Sequence, residues 1–247
     1  RGGRARRRGA CRRARLMVTE GLRVDRDEAL RYLGYDGQKL DADLARRFDE
    51  AVVACERLRP RCLHAAFPVD HAASDAGHVA LAGCGLVLEG RDIARHLDGA
   101  CEAVLMACTL GAESERALRL RTATSPTDAL LYGAAASALV EAAADAEESR
   151  IVAEAAARGL RTNFRYSPGF GDLPLAVQPA FLAALDAPRR IGLAATAGNL
   201  LVPTKSVTAV VGLFEGEPSN ASARSTCASC ALAGRCALRD QGRTCHG

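Results

Sequence analysis

The residues best equipped for chemistry lie in segment 165–174, which reads Arg-Tyr-Ser-Pro-Gly-Phe-Gly-Asp-Leu-Pro. Arg165 offers a planar guanidinium whose donors match the two oxygens of a carboxylate. The Ser-Pro-Gly-Phe run fits a type II turn, with Pro168 in the second position and Gly169 in the third. Phe170 and the tyrosine that follows Arg165 present flat faces to an adenine or a cation. The segment predicts a site for a small zwitterion with an aromatic base. A structural turn with a helix-capping arginine is the alternative.

The second group of reactive side chains is at the C-terminal end. Four of the ten cysteines, Cys227, Cys230, Cys236 and Cys245, fall within the last 21 residues, and a histidine follows the last of them. Four thiolates at this density, with a Cys-x-x-Cys pair, are typical of a site for zinc or for an iron–sulfur cluster. The sequence does not choose between the two, and a flexible tail with incidental cysteines is the alternative. The other six cysteines lie mostly in apolar stretches, as small core residues do.

The formal net charge of +4 arises at the N-terminal end, because the first sixteen residues hold eight arginines and no acid. Residues 17–247 therefore carry −4, so a basic face for duplex nucleic acid is not indicated. We expect residues 1–16 to be an Arg-rich disordered leader, or translated sequence ahead of a start at Met17. An arm that binds nucleic acid or a membrane surface is the alternative.

No uncharged run reaches the roughly eighteen apolar residues of a membrane span, and no secretory signal is evident. The prediction is a cytoplasmic protein with neither nucleic acid nor membrane as a partner.

Hydrophobic periodicity predicts the elements that position these groups. Leu44, Phe48, Val52, Cys55 and Leu58 recur at helical spacing. The predicted helices span residues 25–33, 41–58, 92–97, 112–120, 128–158 and 175–185. The predicted strands span residues 62–67, 78–82, 85–88, 103–108, 190–194 and 207–214. Runs of strands and helices without regular alternation favour an α+β fold.

A change of composition divides the chain into four parts. The Arg-rich leader occupies residues 1–16, and a single domain occupies residues 17–215. Residues 216–225 are rich in Pro, Ser, Asn and Ala, which is typical of a linker. Residues 226–247 form the Cys-rich tail.

Four segments of the chain resemble one known family. Residues 165–174 resemble the S-adenosylmethionine-binding motif, Arg-x-x-x-Gly-Tyr, of the activation (reactivation) domain of cobalamin-dependent methionine synthase. Residues 24–35, 107–112 and 203–209 resemble the opening, the strand-to-helix junction and the Pro-x-x-Ser-Val segment of stand-alone relatives of that domain. The segments keep the family's order, and the resemblance runs from about residue 22 to residue 214.

The resemblance implies a fold and a function. The fold is α+β, a twisted antiparallel sheet flanked by helices, here followed by the Cys-rich tail. The domain binds S-adenosylmethionine and presents its methyl group to a cobalamin held elsewhere. Inert cob(II)alamin is reduced by one electron, from flavodoxin in the best-known systems or from a similar low-potential donor such as ferredoxin, and then takes the methyl group. The resemblance thus implies an accessory activation subunit, whose task is positioning and electrostatics.

The resemblance also assigns roles to particular residues. Arg165 holds the methionine carboxylate, while Pro168 and Gly169 bring backbone against the ligand. Phe170 replaces the family's tyrosine and keeps the ring without the hydroxyl. Asp25 matches an acidic residue that meets the ligand's amino group, although a helix N-cap also explains it. Glu141 matches a helical glutamate near the site, where a carboxylate suits a sulfonium cation; a solvated helix face is its alternative.

Two departures bear on the partner. The cobalamin-ligating pattern Asp-x-His-x-x-Gly is absent from the sequence, because Asp70, His71 and Asp75 miss that spacing. The corrinoid is therefore expected on a separate chain, a shortened methionine synthase or another corrinoid protein. The Cys-rich tail also takes the place of an aromatic strand that adds ligand contacts in longer relatives. Two other functions stay open: a stand-alone methyltransferase that acts without a corrinoid, and a metal-binding interaction module whose ligand groove is vestigial.

Overall fold

Five antiparallel strands form the main sheet of the protein in a computed structural model, which describes residues 14–35 and 37–218. The strands are β1 (Arg15–Val18), β2 (Arg61–Pro68), β3 (His78–Ala80), β4 (Val87–Glu89), β5 (Glu102–Thr109), β6 (Arg161–Thr162), β7 (Ala194–Ala195), β8 (Leu201–Val202) and β9 (Ser206–Phe214). The helices are α1 (Arg26–Tyr32), α2 (Ala42–Glu56), α3 (Arg91–His96), α4 (Gly111–Thr124), α5 (Pro126–Ala156), α6 (Gln178–Ala184) and α7 (Ala187–Ile191). The main sheet has the order β1-β2-β5-β9-β6, and β3-β4 and β7-β8 form two small hairpin-like pairs. The predicted α+β class, an antiparallel sheet flanked by helices, is confirmed.

Both faces of the main sheet are covered. Successive side chains of a strand point to opposite faces, and β2 shows the result. Leu63 and Phe67 pack in a core with α3, α6 and α7, whereas Cys62 packs with α5. The central strand β5 is buried from Ala103 to Thr109, as expected for a strand with neighbours on both edges and helices on both faces.

Helix α5 organises the other face of the sheet. It starts at an N-cap, Ser125, whose side chain accepts from the backbone N–H of Asp128, and a proline occupies its first turn. Its many alanines let it lie close to the sheet, and Ala143 and Ala144 are fully buried there. In the described part of the chain, α5 alone is long and apolar enough to cross a membrane, but 56% of its most apolar window is buried inside the fold. That burial is what a core helix shows.

Helices α1 and α2 pack on the outer side of α5. Each begins at an aspartate whose carboxylate accepts a backbone N–H three residues on: Asp25 from Glu28, and Asp41 from Leu44. Phe48 and Tyr132 are buried where α2 meets α5. This packing brings α1 to the middle of α5, which is where the candidate site lies.

Two predicted boundaries are wrong. Arg15 and Leu16, which the prediction placed in the disordered leader, form β1 with Met17 and Val18 and pair with β2. The many arginines favoured a disordered segment in the prediction, and the strand itself has only four residues, of which the last three are apolar. Residues 190–194, predicted as a strand, begin inside α7, because a proline in the first turn favours a helix and Gly192 ends it in the left-handed conformation.

Candidate functional site

The backbone of Arg165 is fixed by the sheet. The next residue, Tyr166, exchanges two backbone hydrogen bonds with Val210 of β9, at 2.9 and 2.8 Å. Two residues before Arg165, the buried Asn163 side chain accepts the backbone N–H of Gly212 at 2.7 Å and donates to the carbonyl of His96 at 2.7 Å. With an anchor on either side, Arg165 is held at a defined place beside α5.

The turn after Arg165 has the geometry that the sequence predicts. The backbone N–H of Phe170 donates to the carbonyl of Ser167 at 3.1 Å, and Gly169 has φ +95°. Both features belong to a type II turn. Pro168 is buried, whereas the Phe170 ring is 62% exposed. The turn therefore presents a glycine backbone and an uncovered aromatic face at the surface.

Three carboxylates of α5 surround the Arg165 guanidinium. Its Nη2 lies 2.6 Å from Asp145 Oδ1 and 3.7 Å from Glu141 Oε2, and its Nε lies 3.1 Å from Glu148 Oε2. The Arg165 side chain is only 20% exposed. Its Nη1 is buried and has no hydrogen-bond partner within the described residues. A buried donor without a partner is costly, so the guanidinium has hydrogen-bonding capacity that the described residues leave unused.

Helix α1 faces this cluster from the other side. The Tyr32 hydroxyl donates to Glu28 Oε1 at 2.6 Å, and Arg31 Nη2 lies 3.0 Å from the same oxygen. Burial raises the pKa of Glu141; Arg165 opposes the rise, and Asp145 and Glu28 add to it. The pKa of the Tyr32 phenol is raised well above its usual value by burial first, and then by its bond to Glu28 and the negative charges of Glu28 and Glu141. Negative charge is therefore concentrated where α1 faces α5.

The structure brings some of the predicted site residues together. Arg165 and Glu141 are neighbours, and Pro168, Gly169 and Phe170 follow Arg165 in the turn. Asp25 caps α1 through Oδ1, 3.0 Å from the backbone N–H of Glu28. No hydrogen bond joins Asp25 to Arg165 or Glu141 in the part of the chain that the structure describes.

Sequence reasoning missed the other two partners of Arg165. Asp145 and Glu148 follow Glu141 at intervals of four and three residues, which places all three carboxylates on one face of a helix. That spacing was visible in the sequence. What it did not show was the arginine opposite, which comes from a segment seventeen or more residues further along the chain.

A second charged cluster was also missed, on the same helix but on the sheet side. His64 Nδ1 lies 2.7 Å from Glu147 Oε1, and Arg150 Nη1 lies 2.9 Å from the other oxygen of Glu147, whose side chain is fully buried. His64 Nε2 lies 3.3 Å from Glu154, which also pairs with an arginine of β1. Burial alone would lower the pKa of His64, but the hydrogen bonds and charges of Glu147 and Glu154 outweigh it and raise the pKa.

The predicted metal ligands Cys227, Cys230, Cys236 and Cys245 lie outside the described residues. Within residues 14–35 and 37–218, no group of three or more His, Cys, Asp or Glu side chains is arranged to hold a metal ion. A surface cavity of about 430 Å³ lies beside the start of α4, lined by Arg57, Arg59 and Arg61 among others. None of the predicted site residues lines this cavity.

Comparison with known proteins gives a fold and no family. No protein-family profile matches the sequence, and no curated protein matches it. Among solved structures, the chain is similar to a crystal structure of the MetH reactivation domain bound to AdoHcy, with a TM-score of 0.63 and 14% sequence identity. The likeness covers 94% of this chain and 86% of that one. At this identity the likeness shows that the two share a fold.

Proposed function

We propose that this chain binds S-adenosylmethionine and acts as an accessory activation subunit, which supports reductive methylation of cob(II)alamin on a separate methionine synthase or other corrinoid protein. The likeness in fold to a reactivation domain that was crystallised with AdoHcy supports the proposal. The motif of segment 165–174 supports it independently, because its residues suit the amino-acid end and the adenine of that ligand.

The observation that carries the proposal is the environment of Arg165. Its guanidinium is mostly buried beside a turn that exposes a glycine backbone and an aromatic ring, and its Nη1 has no hydrogen-bond partner among residues 14–35 and 37–218. A guanidinium fixed in this way matches a carboxylate in shape and charge. In the proposed complex, the methionine carboxylate of the ligand pairs with the exposed part of this guanidinium.

The remaining residues have roles that follow from this placement. The turn at Pro168 and Gly169 positions backbone against the ligand, and the exposed ring of Phe170 stacks on the adenine. Glu141 lies close enough to Arg165 for its carboxylate to meet the sulfonium or the ammonium group. Asp25 uses one oxygen as a helix cap, and its second oxygen is the one that we assign to the amino group.

The chain's own contribution to the reaction is to hold and orient. The corrinoid on the partner, once reduced by a low-potential donor such as flavodoxin or ferredoxin, supplies the nucleophile for the methyl group. A reaction of this kind needs no general base from the chain. The proposed residues accordingly bind the two ends of the ligand and leave the methyl group accessible to the partner.

Binding is tested by calorimetric titration with S-adenosylmethionine. We expect Arg165→Ala to weaken binding by about 1.5–3 kcal/mol, the scale of a hydrogen bond to a charged group. Arg165→Lys keeps the charge but loses the fork, so it should recover only part of the affinity. The matched control is Arg161→Ala, because Arg161 pairs with Glu217 at the surface, where both side chains are exposed. Unchanged affinity in Arg165→Ala would remove the central assignment.

The activation role needs a second measurement. The chain should convert a cob(II)alamin-bearing protein to its methylated form only when S-adenosylmethionine and a reductant are both present, as followed by the corrinoid absorbance. Methyl transfer to a small acceptor with no corrinoid protein would favour a stand-alone methyltransferase. Metal binding without any affinity for S-adenosylmethionine would favour an interaction module with a vestigial groove.

A further inference from the structure

Three arginines lie close together where α2 is followed by β2. Arg57, Arg59 and Arg61 alternate with Leu58 and Pro60, which are both buried. All three arginines line the surface cavity of about 430 Å³ beside the start of α4. The alternation of buried and unburied residues therefore brings three positive charges to one concave surface.

The backbone at this corner of the fold is fixed by the main sheet. The backbone N–H of Thr19 donates to the carbonyl of Pro60 at 3.0 Å, and Arg61 is paired with Thr109 of β5. A Cβ added to Gly111 would lie 3.3 Å from Arg61 Nη2, so this guanidinium lies against the first residue of α4. Regular elements of the domain thus set where the arginines are.

Carboxylates of the protein neutralise these charges only in small part. Arg57 and Arg61 make no side-chain ion pair or hydrogen bond within residues 14–35 and 37–218. Arg59 lies 3.5 Å from Glu20, but both side chains are largely exposed, and such pairs contribute little. Glu113 is the one acid that lines the cavity, and it lies in the first turn of α4, where the helix itself favours a carboxylate. The cavity lining has a formal charge of +2.

The rest of the chain does not account for this concentration of positive charge. Residues 17–247 carry a formal net charge of −4, so the arginines are not part of a generally basic surface. Like charges that line one cavity repel each other. An anion with several negative charges would remove that repulsion.

We propose that Arg57, Arg59 and Arg61 form a binding site for a phosphorylated small molecule. The guanidinium fork binds two oxygens of a phosphate group at once. Phosphate and pyrophosphate groups also carry more than one negative charge near neutral pH, whereas a single carboxylate carries one. The cavity has the size of a small-molecule site. This site is separate from Arg165, and the inference does not rest on the proposed function.

The test is calorimetric titration of the full chain with inorganic pyrophosphate, a simple member of this class of compound. We expect Arg57→Gln, Arg59→Gln and Arg61→Gln each to weaken binding by about fivefold, the effect of one solvated charge about 4 Å away. Arg61→Lys keeps the charge but loses the fork, so it should weaken binding as well. Arg91→Gln is the matched control, because Arg91 is exposed at the start of α3 and does not line the cavity.

Urea unfolding of the same variants separates binding from folding. Because the three arginines repel each other, each glutamine variant should unfold at the same urea concentration as wild type or at a higher one. A variant that binds pyrophosphate normally but unfolds at a much lower urea concentration would show that the arginine serves the fold, and would overturn the proposal.

The remaining outcomes are equally decisive. Wild-type protein that gives no heat with pyrophosphate would overturn the proposal. So would binding that persists when all three arginines are replaced together, since it would belong to the arginines of residues 1–13. Equal affinity of wild type and Arg61→Lys would show a diffuse attraction without a defined site. Citrate, a multiply charged carboxylate, should bind more weakly than pyrophosphate, and equal binding would refute the phosphate assignment. Weaker binding in each of the three variants, with Arg91→Gln unchanged, supports the site.

Discussion

Replacing His64 with asparagine should make the protein less stable, and by an amount that depends on pH. His64 is buried between Glu147 and Glu154, and its raised pKa means that the folded state holds the imidazolium more tightly than the unfolded chain does. A group of this kind stabilises the fold fully below its unfolded pKa, near 6.5, and the contribution is lost as the pH rises through the folded pKa. Asparagine keeps a donor near Nδ1 but has no charge.

The magnitude follows from the difference between charged and neutral hydrogen bonds. Bonds to charged groups contribute about 1.5–3 kcal/mol and neutral ones about 0.5–1.5 kcal/mol. We therefore expect His64→Asn to lower the free energy of unfolding by about 2 kcal/mol at about pH 6 and by about 0.5 kcal/mol at about pH 9. Arg150 stays against Glu147 in the variant, which is why the loss at the lower pH is not larger.

Urea unfolding of both proteins at the two pH values, followed by circular dichroism, measures this difference. Wild type and variant must be compared with each other at the same pH, because His96 changes the stability of both with pH in the opposite direction. Burial lowers the pKa of His96 to about 4, so its contribution weakens the fold as the pH falls from 6.5 towards 4. That contribution is common to wild type and variant and cancels. His78→Asn is the control, since the pair of His78 and Asp75 is exposed. A loss that is equal at both pH values, or that grows with pH, would refute a charged His64.

Two further predictions concern the turn and the tail. Gly169→Ala should lower stability by about 1 kcal/mol or more and weaken binding of S-adenosylmethionine. The reason is that Gly169 has φ +95° and an added Cβ would lie 3.1 Å from Leu175 Cδ2. Thermal unfolding and calorimetry measure the two effects, and a variant as stable as wild type would contradict the first. Cys227→Ser combined with Cys230→Ser should abolish the bound metal that the cysteine spacing predicts for the tail. Elemental analysis after anaerobic purification measures it, and wild-type protein with neither zinc nor iron would disprove the metal site.

The sequence was sufficient for most of the fold because the periodic signals are strong and local. The 31-residue α5 has a serine cap, a proline in its first turn and a glycine beyond its end, each with a positional preference. The strands next to β5 are apolar because both of their faces are covered. Short elements were less predictable. In α7, only five residues long, the apolar residues after Arg190 resemble a strand until the packing around Ile191 is known.

The candidate site was predictable only in its local part. The turn at Pro168 and Gly169 follows from residue types that few other backbone conformations would suit. The partners of Arg165 cannot be predicted in this way, because Asp145 and Glu148 are indistinguishable from residues of an ordinary solvated helix face until the segment after β6 is placed against them. The partner of His64 was not predictable either, since Glu147 lies 83 residues away in the chain. Charged pairs between distant segments depend on tertiary packing, which periodicity does not encode.

Helix α5 carries both charged clusters, and its geometry separates their effects. Glu141, Asp145 and Glu148 face Arg165, whereas Glu147 points to His64 on the sheet. Adjacent residues of a helix point about 100° apart, so Glu147 and Glu148 contribute to different clusters although they are neighbours in the sequence. The two sets of variants should therefore dissociate. His64→Asn should change the free energy of unfolding and leave the affinity for S-adenosylmethionine intact, whereas Arg165→Ala should weaken that affinity. If His64→Asn also altered that affinity, the two clusters would be coupled through α5, and neither could be assigned a separate role.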